Sequence, residues 1–125
     1  AVLQLDLFML PNQVLEKGKR GFFPFALLIL DKNRGVVPCM QTLSPEPDLH
    51  SMYESLPQTV LDEIKKLGYR PTRFEVRAGI PFTLLEEPLK QANCRVLQVK
   101  RMPRMDEMAE SLISHLNTGG PDPIN

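Results

Sequence analysis

Residues 72–100 read TRFEVRAGIPFTLLEEPLKQANCRVLQVK, and this stretch decides the fold class. Thr72–Arg77 alternates, with Phe74 and Val76 on one face and Arg73, Glu75 and Arg77 on the other. That is the period of a half-buried strand. Pro81 opens a helix whose apolar face is Leu84, Leu85, Leu89 and Ala92. Pro88 falls inside it, which predicts a kink or two short helices. Arg95–Lys100 then returns to strand character. Two strands joined through a helix are expected to be parallel neighbours with a right-handed crossover, so the chain reads as α/β.

Upstream, Leu3, Leu5 and Leu7 alternate with Gln4 and Asp6, another half-buried strand. Glu16–Gly21 is a charged loop. Phe25–Leu30 is a continuous apolar run of strand length, which predicts a central strand covered on both faces. Asp31–Gly35 is turn chemistry, and Val36–Gln41 returns as the second arm of a hairpin. Pro38 cannot donate to a ladder, so this arm belongs at an edge or carries a bulge. Leu49, Met52, Tyr53 and Leu56 show helical spacing up to Pro57. From there Val60, Leu61, Ile64 and Leu67 continue it, with Pro57 suited to a first turn and Gly68 to a stop.

Downstream, Met105, Met108, Ala109, Leu112, Ile113 and Leu116 form a closing helical stripe. Met102 joins it at the start, and core packing is the reading its spacing favours. The predicted order is β-β-β-α-β-α-β-α, with a mixed sheet of four to five strands in one domain over residues 1–117. Residues 118–125 read as a flexible tail. Twelve prolines, mostly at element boundaries, are punctuation that narrows the unfolded ensemble.

Composition excludes several function classes. Fifteen positive charges balance fifteen negative ones, so the whole molecule is no polyanion binder. The start lacks the basic and long apolar regions of a signal peptide, and no apolar run reaches the length of a membrane span. The cytoplasm is therefore the expected location. The first residue is Ala1 rather than Met, which fits removal of residues upstream. Cys39 and Cys94 share no C-x-x-C spacing and read as buried reduced thiols.

Three stretches carry a family resemblance: Pro24-Phe25 with the apolar strand ending in Asp31, Gly68-Tyr-Arg-Pro71, and Leu97-Gln-Val-Lys-Arg-Met-Pro103. Together they resemble a family of bacterial proteins classed only as a domain of unknown function, found alone or beside SEC-C-type metal-binding modules. The resemblance spans residues 3–117 and implies no activity. The Cys/His cluster of a SEC-C module has no counterpart in this sequence.

The strand order also looks like a reduced ribonuclease H-like domain, a fold that presents carboxylates to divalent metals. Asp31 at a strand end, Glu75 on a sheet strand and Asp106 opening the last helix are the candidate acids. In that fold the first acid normally lies within the first strand of the hairpin, whereas Asp31 lies at the turn. Each acid also has a structural reading: Asp31 suits a turn, Glu75 a polar strand face, and Asp106 a helix dipole.

Charge is uneven along the chain. Residues 70–104 hold eight Lys and Arg against three Glu, a local net of +5, and residues 105–125 hold four acids and no Lys or Arg. Arg70, Arg73, Arg77, Lys100, Arg101 and Arg104 are thus the candidate anion-contacting face. His50 and His115 have no partner at metal-ligand spacing, and no Walker A, G-x-G-x-x-G or G-x-S-x-G pattern occurs. No cofactor is implied. The expected function is a non-enzymatic interaction or accessory domain, self-associating or meeting a protein through the hairpin edge or the Met105–Leu116 helix. The alternative is a divergent ribonuclease H-like, metal-dependent or nucleic-acid-binding domain.

Overall fold

A computed structural model describes residues 1–117 other than 16 and 19. The predicted tail, residues 118–125, lies outside the described residues. The elements run β1 (Val2–Met9), β2 (Phe25–Asp31), β3 (Val36–Leu43), α1 (Leu49–Lys65), β4 (Arg73–Arg77), α2 (Ile80–Gln91), β5 (Arg95–Val99) and α3 (Pro103–Asn117). This is the order read from the sequence. One mixed five-stranded sheet forms, in the order β3-β2-β1-β4-β5. β1, β2 and β3 make an antiparallel meander, and β1, β4 and β5 are parallel.

β1 sits at the centre, because it alone joins the two halves. Leu5 lies opposite Ile29 on one side and Val76 on the other. Alternation then sorts the sheet into two faces. Leu3, Leu5, Leu27, Ile29, Phe74 and Val76 meet Met52, Leu56 and Val60 of α1 and Leu85 and Leu89 of α2 in the main core. Leu28 and Leu30 face the other way, against Met105 of α3 and Met102 just before it. Two helices therefore cover one face and a single helix the other. β2 is buried along nearly its whole length, as a strand covered on both sides must be. β3 is an edge strand, and its register with β2 shifts between Ile29 and Asp31. Edge position and bulge both accommodate Pro38.

Two proline expectations need correction. α1 is one 17-residue helix that runs through Pro57, not two segments meeting there. Met52, Leu56 and Val60 form a single buried stripe on both sides of the proline. Burial of that stripe outweighs the one backbone hydrogen bond that proline removes. α2 is likewise one helix of 12 residues that contains Pro88, so of the kink or two short helices expected there the division does not occur. Asp48 caps α1, its side chain accepting from the Ser51 N–H at 2.8 Å. Cys39 and Cys94 are free and buried, and burial pushes their thiols up to about 12 and about 11. Neither is poised as a nucleophile.

Leu56 is fully buried where α1 meets the sheet, whereas Leu49 on the same helix is 45% exposed. Leu56→Ala is expected to cost about 2–5 kcal/mol in urea unfolding, and Leu49→Ala under about 0.5 kcal/mol. Equal costs would contradict the helix orientation described.

Candidate functional site

The α3-facing side of the central strands carries a polar layer that the other side lacks. Gln4 and Glu75 lie opposite each other on β1 and β4, and both are buried. Gln4 Nε2 donates to Glu75 Oε1 at 2.9 Å. Lys32 Nζ reaches the same oxygen at 3.2 Å, and Arg73 Nη2 reaches Oε2 at 3.5 Å. These partners hold the Glu75 carboxyl below its ordinary value even though burial opposes them. Gln4 Oε1 and the Nε atoms of Arg73 and Arg77 are buried without a hydrogen-bond partner among the described residues.

One step further along the strands, Asp6 of β1 approaches Arg77 at the end of β4. Arg77 Nη2 lies 3.5 Å from Asp6 Oδ2, and the same nitrogen donates to Asp106 Oδ1 of α3. A single guanidinium thus bridges two carboxylates from two elements. Asp6 is also anchored locally, its Oδ1 accepting from the Leu7 N–H at 3.0 Å. Burial raises the Asp6 pKa; Arg77 and the Leu7 N–H pull it down, and the Asp106 charge adds a smaller push upward. Beside this trio lies a cavity of about 190 Å³ lined by Asp6, Leu7, Val76, Arg77, Ala78 and Pro81. It opens at the carboxyl ends of parallel strands, where open α/β sheets form their sites.

The three acids singled out in the sequence do not converge. Asp31 follows Leu27 and Ile29 onto the α1 side of the sheet, while Glu75 faces the α3 side. Asp31 is a turn anchor: Oδ1 accepts from the N–H groups of Asn33 and Arg34, and Oδ2 from the Tyr69 hydroxyl. The Arg34 N–H contact leads in lowering its pKa, opposed by burial. Glu75 is buried rather than solvated, because α3 lies over the face that alternation alone makes polar. Asp106 pairs with Arg77 and shares no partner with either. Asp6 is the acid that sequence reasoning missed, although it is the one charged residue of the first strand. Among the described residues no group of three or more His, Cys, Asp or Glu is placed to hold a metal ion.

The basic face also divides. Arg73 and Arg77 are engaged by carboxylates within the fold. Arg70 lines a cavity of about 280 Å³ with Lys65 and Asn93. Lys100 and Arg101 are exposed between β5 and α3. Arg104 lies against the hairpin turn, where Gly35 has φ +68° and an added Cβ would stand 2.7 Å from the Arg104 Nη1. His50 pairs with Glu54 at 3.4 Å on the surface of α1.

Similarity to solved structures shows the fold. The integrase catalytic core of HTLV-2 in complex with magnesium, in its dimeric form, matches with a TM-score of 0.59 and 14% identity, over 94% of this chain and 69% of that one. Its trimeric form matches with a TM-score of 0.59 and 15% identity over the same shares. A simian T-cell lymphotropic virus intasome in complex with PP2A regulatory subunit B56 gamma matches at 0.60 and 16%, over 94% of this chain and 38% of that chain. The sheet and helices are therefore ribonuclease H-like. A search of curated protein sequences finds no match. A family model described as a domain of unknown function, DUF6930, matches residues 1–113.

Asp31 and Asp6 have opposite linkage. The Asp31 pKa is lowered from 3.8, so its contribution to stability is present above 3.8 and lost as pH falls through its folded value. Asp31→Asn should be less stable than the parent at pH 7, with the gap closing in acid. The Asp6 pKa is raised from 3.8, so its carboxyl is unpenalised below 3.8 and costs stability as pH rises through its folded value. Asp6→Asn should gain on the parent from acid to neutral pH. Urea unfolding across that range checks both signs.

Proposed function

This chain belongs to the DUF6930 family of domains of unknown function, and from that premise we propose that it is a non-enzymatic interaction or accessory domain on a ribonuclease H-like scaffold. The observation that carries this reading is Arg77. Its Nη2 is shared by Asp6 and Asp106, the two carboxylates nearest the cavity at the strand ends. Two-metal chemistry requires carboxylates free to neutralise divalent ions about 3.5–4 Å apart. A guanidinium keeps its charge at every accessible pH, so it competes with a metal for both oxygens. Glu75, the remaining acid on this face, is taken by Gln4, Lys32 and Arg73.

A second reading, a divergent metal-dependent or nucleic-acid-binding domain, draws support from the likeness to integrase cores recorded with magnesium. It further draws on the exposed Lys100 and Arg101 and on Arg104 beside the hairpin turn. Two of its six basic residues, Arg73 and Arg77, already have internal partners, which weakens the phosphate-contacting face. A bacterial, cytoplasmic setting, alone or beside SEC-C-type modules, belongs to the same proposal and is supported by the sequence resemblance. No helix among the described residues is long and apolar enough to cross a membrane.

The test is incubation with magnesium or manganese and labelled DNA or RNA, alongside Asp6→Asn. The expected result is no cleavage or strand transfer above a protein-free blank. Metal-dependent cleavage that disappears in Asp6→Asn would falsify the non-enzymatic reading. Calorimetry adds a second measurement: Arg77→Gln should bind magnesium at least about tenfold more tightly than the parent, since the competing cation is gone.

A further inference from the structure

The outer strand β3 and the end of α3 leave a half-built apolar layer. β3 is eight residues long, VVPCMQTL, and contains no Asp, Glu, Lys or Arg. Natural edge strands are guarded by charge, proline or a bulge; β3 has Pro38 and the register shift but no charge, whereas β5 at the opposite edge is shorter and carries Arg95. Val36 and Met40 of β3 are 52% and 64% exposed. Between this edge and α3 runs a groove of about 260 Å³ lined by Leu28, Val37, Met40, Met108 and Leu112. The apolar cluster under α3 stops at Met108, yet the helix continues with half-buried Leu112, Ile113 and Leu116.

The occupant that fits is an uncharged strand with apolar side chains on one face, because neither the groove lining nor the edge offers a charge to pair. Every other strand of this chain carries a charged residue: Asp6 in β1, Asp31 in β2, Arg73, Glu75 and Arg77 in β4, and Arg95 in β5. Only β3 matches its own edge. We propose that β3 pairs antiparallel with β3 of a second copy, giving a two-fold dimer with one continuous sheet and the groove beside Met40 closed at the junction. An uncharged strand meets no like charge when it faces itself, and the same patch serves both copies. Pro38 removes one donor and leaves the neighbouring backbone groups able to pair. This proposal rests on the interaction-domain reading and names its partner.

Sedimentation equilibrium of the full chain up to millimolar concentration tests it, with circular dichroism confirming that each variant is folded. The parent should dimerise. Met40→Lys, outside the buried core, should weaken the dimer by about tenfold or more, since like charges would meet near the axis. Gln98→Lys on the β5 edge should leave it unchanged. A parent that stays monomeric overturns the proposal. So does a dimer insensitive to Met40→Lys, or one weakened by Gln98→Lys. The nuclease assay is read separately, so a monomer without cleavage removes the dimer and leaves the interaction-domain reading standing.

Discussion

Everything in this molecule depends on the register of β1 between β2 and β4. With Leu5 set opposite both Ile29 and Val76, Leu3 and Leu5 enter the larger core and Gln4 and Asp6 take the opposite face. A slip of one residue on either side would exchange these faces and bury Asp6 among leucines. The same register brings Gln4 beside Glu75 and Asp6 within reach of Arg77, so the polar layer follows from the backbone pairing that forms the core. Core and candidate site are two sides of one strand.

The two faces of the sheet carry unequal chemistry, and α3 resolves the difference. Met105 of its first turn, with Met102 just before the helix, is fully buried against Leu28 and Leu30. Its Asp106 supplies the second carboxylate to Arg77. A helix covering a mixed surface needs both kinds of contact, because an unpaired guanidinium under apolar cover would be costly. The ion trio is thus part of how α3 is seated. That structural duty is a physical reason for the two carboxylates to be committed to Arg77.

The sequence made the element order legible because periodicity survives in it: the alternation at 72–77 and 95–100, the apolar run at 25–30, and the stripe of α3. The edge position of β3 was legible through Pro38, and the parallel pairing of β4 with β5 through the intervening helix. The continuity of α1 through Pro57 was not, because local propensity carries no information about the packing of Met52, Leu56 and Val60. Nor was the site. Asp31 is separated from Glu75 by which face each strand turns, and Glu75 and Asp106 by different partners, which depends on the placement of β1, a pairing some seventy residues away in sequence. Asp6 looked like the ordinary polar half of an alternating strand until β4 and α3 arrived beside it.

The distance in sequence between β1 and its parallel partner also shapes how the chain comes together. β1, β2 and β3 can form their meander from the first 43 residues. β1 then waits for Arg73–Arg77 to be synthesised before its second side is satisfied. Closing a loop of that length is entropically slow, and parallel pairings are the kind that pace folding. In the interval, two apolar faces and two open strand edges would be bare. The early half of this domain is thus its most aggregation-exposed intermediate, and α1, arriving directly after the meander, is the first element able to shield it.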